Sequence, residues 1–108
     1  MISHPYLSGA YEVVYAVNCG GGKHTDRFGI HYSADDNRVG VSSEFGKTLI
    51  ISRVHHDDMI LYQTERYHTS SFAYDIPMPD DGQYFLIVKF AEVYFQMSNQ
   101  KVCLLLLF

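Results

Sequence analysis

Tyr84-Phe-Leu-Ile-Val-Lys-Phe-Ala-Glu-Val-Tyr-Phe95 is the most apolar internal stretch of this 108-residue chain. Side chains alternate across a strand, so Phe85, Ile87, Ala91, Val93 and Phe95 would share one face, and Tyr84, Leu86, Val88 and Phe90 the other. Both faces are apolar for most of the length. The pattern predicts a central β-strand buried on both sides that leaves the core near Lys89 and Glu92.

Upstream, Pro77-Met-Pro-Asp-Asp-Gly82 is a strong turn signal, because proline fixes φ and cannot donate to a ladder, while Asp-Gly tolerates the left-handed region. Residues 11–17, 48–54, 59–66 and 71–76 are rich in β-branched and aromatic residues and are read as further strands. The first is stopped by Asn18-Cys-Gly-Gly-Gly22, and residues 23–37 are expected to be irregular around a short Ile30-His-Tyr32 segment. Short β segments about ten residues apart, with turn chemistry between them, point to a sandwich or barrel.

With 47% apolar residues the chain fits one globular domain. Eight Lys and Arg against twelve Asp and Glu leave few cations to form a positive patch, so nucleic acid is not an expected partner. Met1-Ile-Ser-His-Pro5 has neither the basic nor the apolar region of a signal peptide. The run from Val102 to Phe108 is far shorter than the roughly 20 residues that span a bilayer, so no membrane segment is expected. Cys19 and Cys103 fit no zinc spacing, and their pairing stays open.

Several stretches resemble chemistry without meeting its requirements. Gly40-Val-Ser-Ser-Glu-Phe-Gly-Lys-Thr48 has one residue too many between its glycines for a phosphate-binding loop, and Thr48-Leu-Ile-Ile-Ser-Arg53 is β-rich where such a loop must open a helix. His55-His-Asp-Asp58 carries metal-competent groups, but neighbours on an extended chain point in opposite directions, so a solvated connection is expected. His24, His31 and His68 are expected to be loop or satisfied surface residues. Glu65, Asp75 and Glu92 are acid/base candidates whose separation the sequence does not give. No G-x-S-x-G elbow is present. No catalytic, metal or cofactor site is therefore expected, and the chain is not expected to be an enzyme. The sharper signal lies in the aromatics, nine Tyr and seven Phe, of which Tyr67, Tyr94 and Phe95 close apolar stretches just as polar residues begin.

The blocks Ala16-Val-Asn-Cys-Gly-Gly21, Gly29-Ile-His-Tyr32, Arg38-Val-Gly40, Leu61-Tyr-Gln-Thr-Glu-Arg-Tyr67, Tyr74-Asp-Ile-Pro77 and Val88-Lys-Phe-Ala-Glu-Val-Tyr-Phe95 resemble the malectin family in order and separation. The resemblance implies an all-β fold, a galactose-binding-like β-sandwich of jelly-roll type, over residues 11–108, with residues 1–10 as an extension. It also implies a non-catalytic lectin of the endoplasmic reticulum that binds oligosaccharide, glucosylated high-mannose N-glycans in the animal members, with a diglucose end as the main determinant. By position the family's sugar contacts fall on Phe45, Tyr67, Tyr94 and Phe95. A further late Asp of the family has no counterpart before Phe108, so the domain is expected to be incomplete or altered at its carboxyl end. Phe45 keeps the family's ring but lacks its hydroxyl, one possible hydrogen bond of about 0.5–1.5 kcal/mol. The alternative expectation is a non-catalytic protein-interaction module, or a carbohydrate-binding module of a larger protein, that has lost sugar binding through truncation.

Overall fold

The structure, a computed structural model, describes residues 12–91. Among these are five short strands: β1 (Val17–Asn18), β2 (His24–Thr25), β3 (His31–Ala34), β4 (Val41–Ser43) and β5 (Glu65–Tyr67). Single 3-10 turns span Phe45–Thr48 and His56–Asp58, and one turn of α-helix, α1, spans Ile60–Gln63. The architecture is β-ladders with helical turns as connectors.

β3 is the middle of a three-stranded sheet of order β1-β3-β2. It runs parallel to β1, with Val17 opposite Ser33, and antiparallel to β2, with Thr25 opposite His31. The return from β2 to β3 is built by Asp26, whose Oδ1 accepts from the backbone N–H groups of Phe28 and Ile30, both at 2.9 Å. An aspartate that satisfies nearby amides competes with continued extension, so the chain turns here. β4 and β5 form a second, antiparallel ladder pairing Val41 with Tyr67, Ser42 with Arg66 and Ser43 with Glu65.

Among the described residues the apolar core is small. Ala16, Tyr32 and Leu61 are buried, with Val13, Ile30, Ile60 and Tyr62 packed against them. Four polar residues, Asn18, Asp26, Asp58 and Thr64, are buried as well. Much of the connection between the ladders is therefore made by hydrogen bonds, which burial makes costly to break.

The structure corrects several predicted strands. Residues 48–54 form no ladder: the segment leaves a 3-10 turn at Thr48, carries Ile50 exposed, and bends at Arg53, whose φ is 64°. Residues 59–66 divide into α1 and the start of β5. An apolar run of this length reads equally as a buried helical turn, and Leu61 reaches the core from α1. Residues 71–76 are joined to the fold by side-chain bonds instead of a ladder, with Asn37 Nδ2 donating to the Ala73 carbonyl at 2.8 Å. In the long apolar stretch Phe85, Val88 and Phe90 are exposed, so residues 84–91 are not buried on both sides; residues 92–95 lie outside the described residues. Conversely, the region expected to be irregular contains β2 and β3, the centre of the larger sheet. The proposed boundary after residue 10 also lies outside the described residues.

Candidate functional site

The segment Thr64-Glu-Arg-Tyr67 alternates inward and outward, and this alternation builds the candidate surface. The Thr64 hydroxyl lies within 3.1 Å of both Asn18 Oδ1 and the Cys19 carbonyl. Two residues on, Arg66 Nε donates to Asp35 Oδ2 at 2.8 Å, and its other arm reaches the Val39 carbonyl at 3.1 Å. These inward groups fix β5 against β1 and the chain leaving β3. Because neighbours on a strand face opposite ways, Tyr67 is turned outward, with its side chain about half exposed.

Asp35 is the hub of this arrangement, and only 1% of its side chain is exposed. Its Oδ2 accepts from the Gly20 amide at 2.6 Å, from Arg66 Nε, and from the Tyr74 hydroxyl at 2.8 Å; Oδ1 accepts from the Asn37 amide at 2.9 Å. Burial alone would raise its pKa, but the bonds from Arg66, Gly20, Asn37 and Tyr74 together hold the carboxyl below its usual value. Burial, the neighbouring Cys19 and the bond to Asp35 push the Tyr74 phenol far upward, so it stays a donor. The same burial raises the Cys19 thiol. Its possible partner, Cys103, lies outside the described residues.

Of the predicted site residues, Tyr67 lies on β5 of the β4–β5 ladder, and Phe45 lies in the 3-10 turn that follows β4. Val41 stands opposite Tyr67 at one end, and Phe45 follows β4 beyond the other. The three paired residues extend the ladder by about 7 Å. Tyr67, Val41 and Phe45 are all exposed. Phe45 is seated by the 3-10 turn that it opens: its amide donates to Ser43 Oγ at 3.2 Å, and Thr48 Oγ1 donates to its carbonyl at 2.9 Å. Tyr94 and Phe95 lie outside the described residues.

Two glycines let backbones approach where these elements meet. A Cβ on Gly20 would lie 2.0 Å from the Glu65 carbonyl oxygen, and one on Gly40 would lie 2.3 Å from that of Tyr67. Both have φ near +75°, a region costly for other residues. Sequence reasoning missed Asp35, Arg66 and Gly40 as supports of the Tyr67 surface. Their presence in the family-like blocks or beside them was the available signal, but nothing in their spacing says that a carboxylate at 35 meets a guanidinium at 66.

The other polar candidates have local partners. His24 Nε2 pairs with Asp58 Oδ1 at 2.9 Å, His31 Nδ1 with Thr25 Oγ1 at 2.8 Å, and His68 meets Phe72 edge-on. The stretch from Gly40 to Thr48 is a strand followed by one 3-10 turn, not the loop and long helix that cradle phosphate. Glu65 lies on β5 and Asp75 on an exposed segment, while Glu92 is outside the described residues. The premise that residues 55–58 are extended is corrected: His56–Asp58 is a 3-10 turn, and His55, His56 and Asp57 each offer a ligand atom within 4.8 Å of the others. Among the described residues no helix is long and apolar enough to cross a membrane.

A family model described as the malectin domain matches residues 13–104. The chain is similar to Malectin-A of Xenopus laevis, 53% identical over 95 residues that make up 86% of this chain and 34% of that protein. It is 50% identical over 93 residues to Malectin of Homo sapiens, covering 84% and 32% of the two chains. Against Malectin of Danio rerio the identity is 47% over 95 residues, 86% of this chain and 33% of the other. The chain thus spans about a third of the length of the curated relatives it matches. No solved structure matches it.

Proposed function

The chain belongs to the malectin family, and from that membership we propose that it is a non-catalytic carbohydrate-binding module whose surface includes Tyr67 and Phe45. The observation that carries this reading is the alternation at residues 64–67, which buries the Thr64 and Arg66 contacts and turns the Tyr67 ring to solvent. An exposed ring held on a braced strand is what sugar stacking requires. One pyranose C–H face laid on such a ring removes about 40–50 Å² of apolar area from water, about 1 kcal/mol at ~25 cal/mol/Å². Selectivity then has to come from polar groups that the wrong sugar would leave unpaired, the Tyr67 hydroxyl among them.

In this proposal the domain is a galactose-binding-like β-sandwich of jelly-roll type. Tyr94 and Phe95 complete the aromatic surface, and the ligand is an oligosaccharide of glucosylated N-glycan type met in the endoplasmic reticulum. After association costs, affinity falls in the micromolar to millimolar range. A glycan array and calorimetric titration of the whole chain test the reading. Binding should be confined to glucose-terminated oligosaccharides and disappear in Tyr67→Ala, with the far-ultraviolet circular dichroism of the variant unchanged. A featureless array from well-folded protein would reject it.

A further inference from the structure

We propose that His55, His56 and Asp57 form a surface site for a divalent transition-metal ion of the zinc type, independent of the sugar reading. Zinc takes imidazole nitrogen and carboxylate oxygen at 2.0–2.2 Å in tetrahedral geometry. Neighbouring donor atoms around such an ion are therefore separated by roughly 3.3–3.5 Å, from the tetrahedral angle and those bond lengths. His55 Nδ1 lies 3.4 Å from Asp57 Oδ2, and His56 Nε2 lies 2.9 Å from Asp57 Oδ1. The first separation matches the required one and the second is shorter than it, each to a different Asp57 oxygen, and all three residues offer donor atoms within 4.8 Å of one another.

The convergence comes from the backbone. His55 precedes the 3-10 turn, with an extended ψ of 137°, and its Nδ1 accepts from the Asp57 amide at 3.2 Å, which folds the His55 ring back over the turn beside Asp57. The imidazoles of His55 and His56 stack face to face, with centroids 4.6 Å apart and planes 27° from parallel; imidazole lone pairs lie in the ring plane, so joint coordination turns these exposed rings out of the stack.

The turn is also anchored through Asp58, which lies outside the ligand trio. The Asp58 amide donates to the His55 carbonyl at 2.9 Å, and the Asp58 carboxylate is held by His24 Nε2 at 2.9 Å and the Arg27 amide at 3.2 Å. Asp58 is thereby committed to the fold, and the exposed trio beside it faces solvent with a coordination position left for water. Two imidazoles and one carboxylate are a donor set that suits zinc and excludes calcium or magnesium, which prefer all-oxygen ligands. Binding through His55 Nδ1 displaces the Asp57 amide that now caps it at 3.2 Å, which keeps the affinity modest.

The test is calorimetric titration of the full, tag-free chain with Zn²⁺ at neutral pH, together with the visible spectrum of the Co²⁺ form. One ion per chain should bind, and Co²⁺ should give the intense absorption of a low-coordinate nitrogen–oxygen site. His56→Ala, a residue 78% exposed in its side chain and so safe for folding, should weaken Zn²⁺ binding by at least about tenfold, whereas His31→Ala on β3 should leave it unchanged. Equal affinity in the wild type and the His55→Ala/His56→Ala double variant would overturn the proposal, as would loss of binding in His31→Ala.

Discussion

Asp35 shows how a single buried carboxylate can fix a surface that it does not touch. Arg66 lies on β5 with its side chain 8% exposed, so the pair is shielded from water and bonded at both ends. Removing one partner of such a pair leaves an uncompensated buried charge. Arg66→Ala should therefore lower stability by about 3 kcal/mol, read as a shift in the urea midpoint at constant slope. The pH dependence arises from the same residue. Its folded pKa lies below the unfolded value, so the folded state favours the ionised carboxylate. That contribution is fully present above about pH 4 and is lost as pH falls through the lower folded value. Urea midpoints of the wild type should decline on acidification through this window. In Asp35→Asn the decline should be shallower, with Asp58 still contributing because its pKa is also depressed, by His24 and the Arg27 amide against the opposing effect of burial. An unchanged pH profile in that variant would contradict the hub role.

At the scale of elements, the β4–β5 ladder is the unit that presents Tyr67, with Phe45 in the turn that follows β4. Gly40 lies at its start with φ of 77°, and any Cβ there would strike the Tyr67 carbonyl. Gly40→Ala should cost about 1–3 kcal/mol and weaken sugar binding through displacement of Tyr67, whereas an alanine at Gly22, where a Cβ meets nothing within 4 Å, should do neither. Thermal melts and a binding titration of both variants check this. The sequence made the turn signals and the family-like blocks legible, and it placed Tyr67 at the end of its segment. It did not make legible that residues 60–63 coil before residues 65–67 extend, because a run as short as Ile60-Leu-Tyr62 satisfies either period and the deciding contacts, Thr64 with Asn18 and Cys19, are more than forty residues away in the chain. The same limit explains residues 48–54. A β-branched run becomes a strand only where a partner is available, and the turn at Arg53 takes this one out of the ladder.

Across the whole molecule, β-rich character was legible from strand composition, and the family from its blocks, but the balance of the interior was not. Three apolar residues and four polar ones are buried among those described, so hydrogen-bonded cross-links carry much of the specificity, and composition alone does not reveal long-range pairing. Sheets and network together serve one outcome, a Tyr67 ring fixed by its strand and open to solvent. The most direct measurement is nuclear magnetic resonance of the full chain labelled at tyrosine and phenylalanine rings, titrated with a glucose disaccharide. The account predicts saturable, fast-exchange shifts of the Tyr67 ring signals, with transfer from that ring to the sugar's axial C–H protons, while the Tyr32 ring in the core stays unperturbed. Sugar-induced shifts that bypass Tyr67, or a Tyr67 ring that never responds to any glucose oligosaccharide, would contradict it.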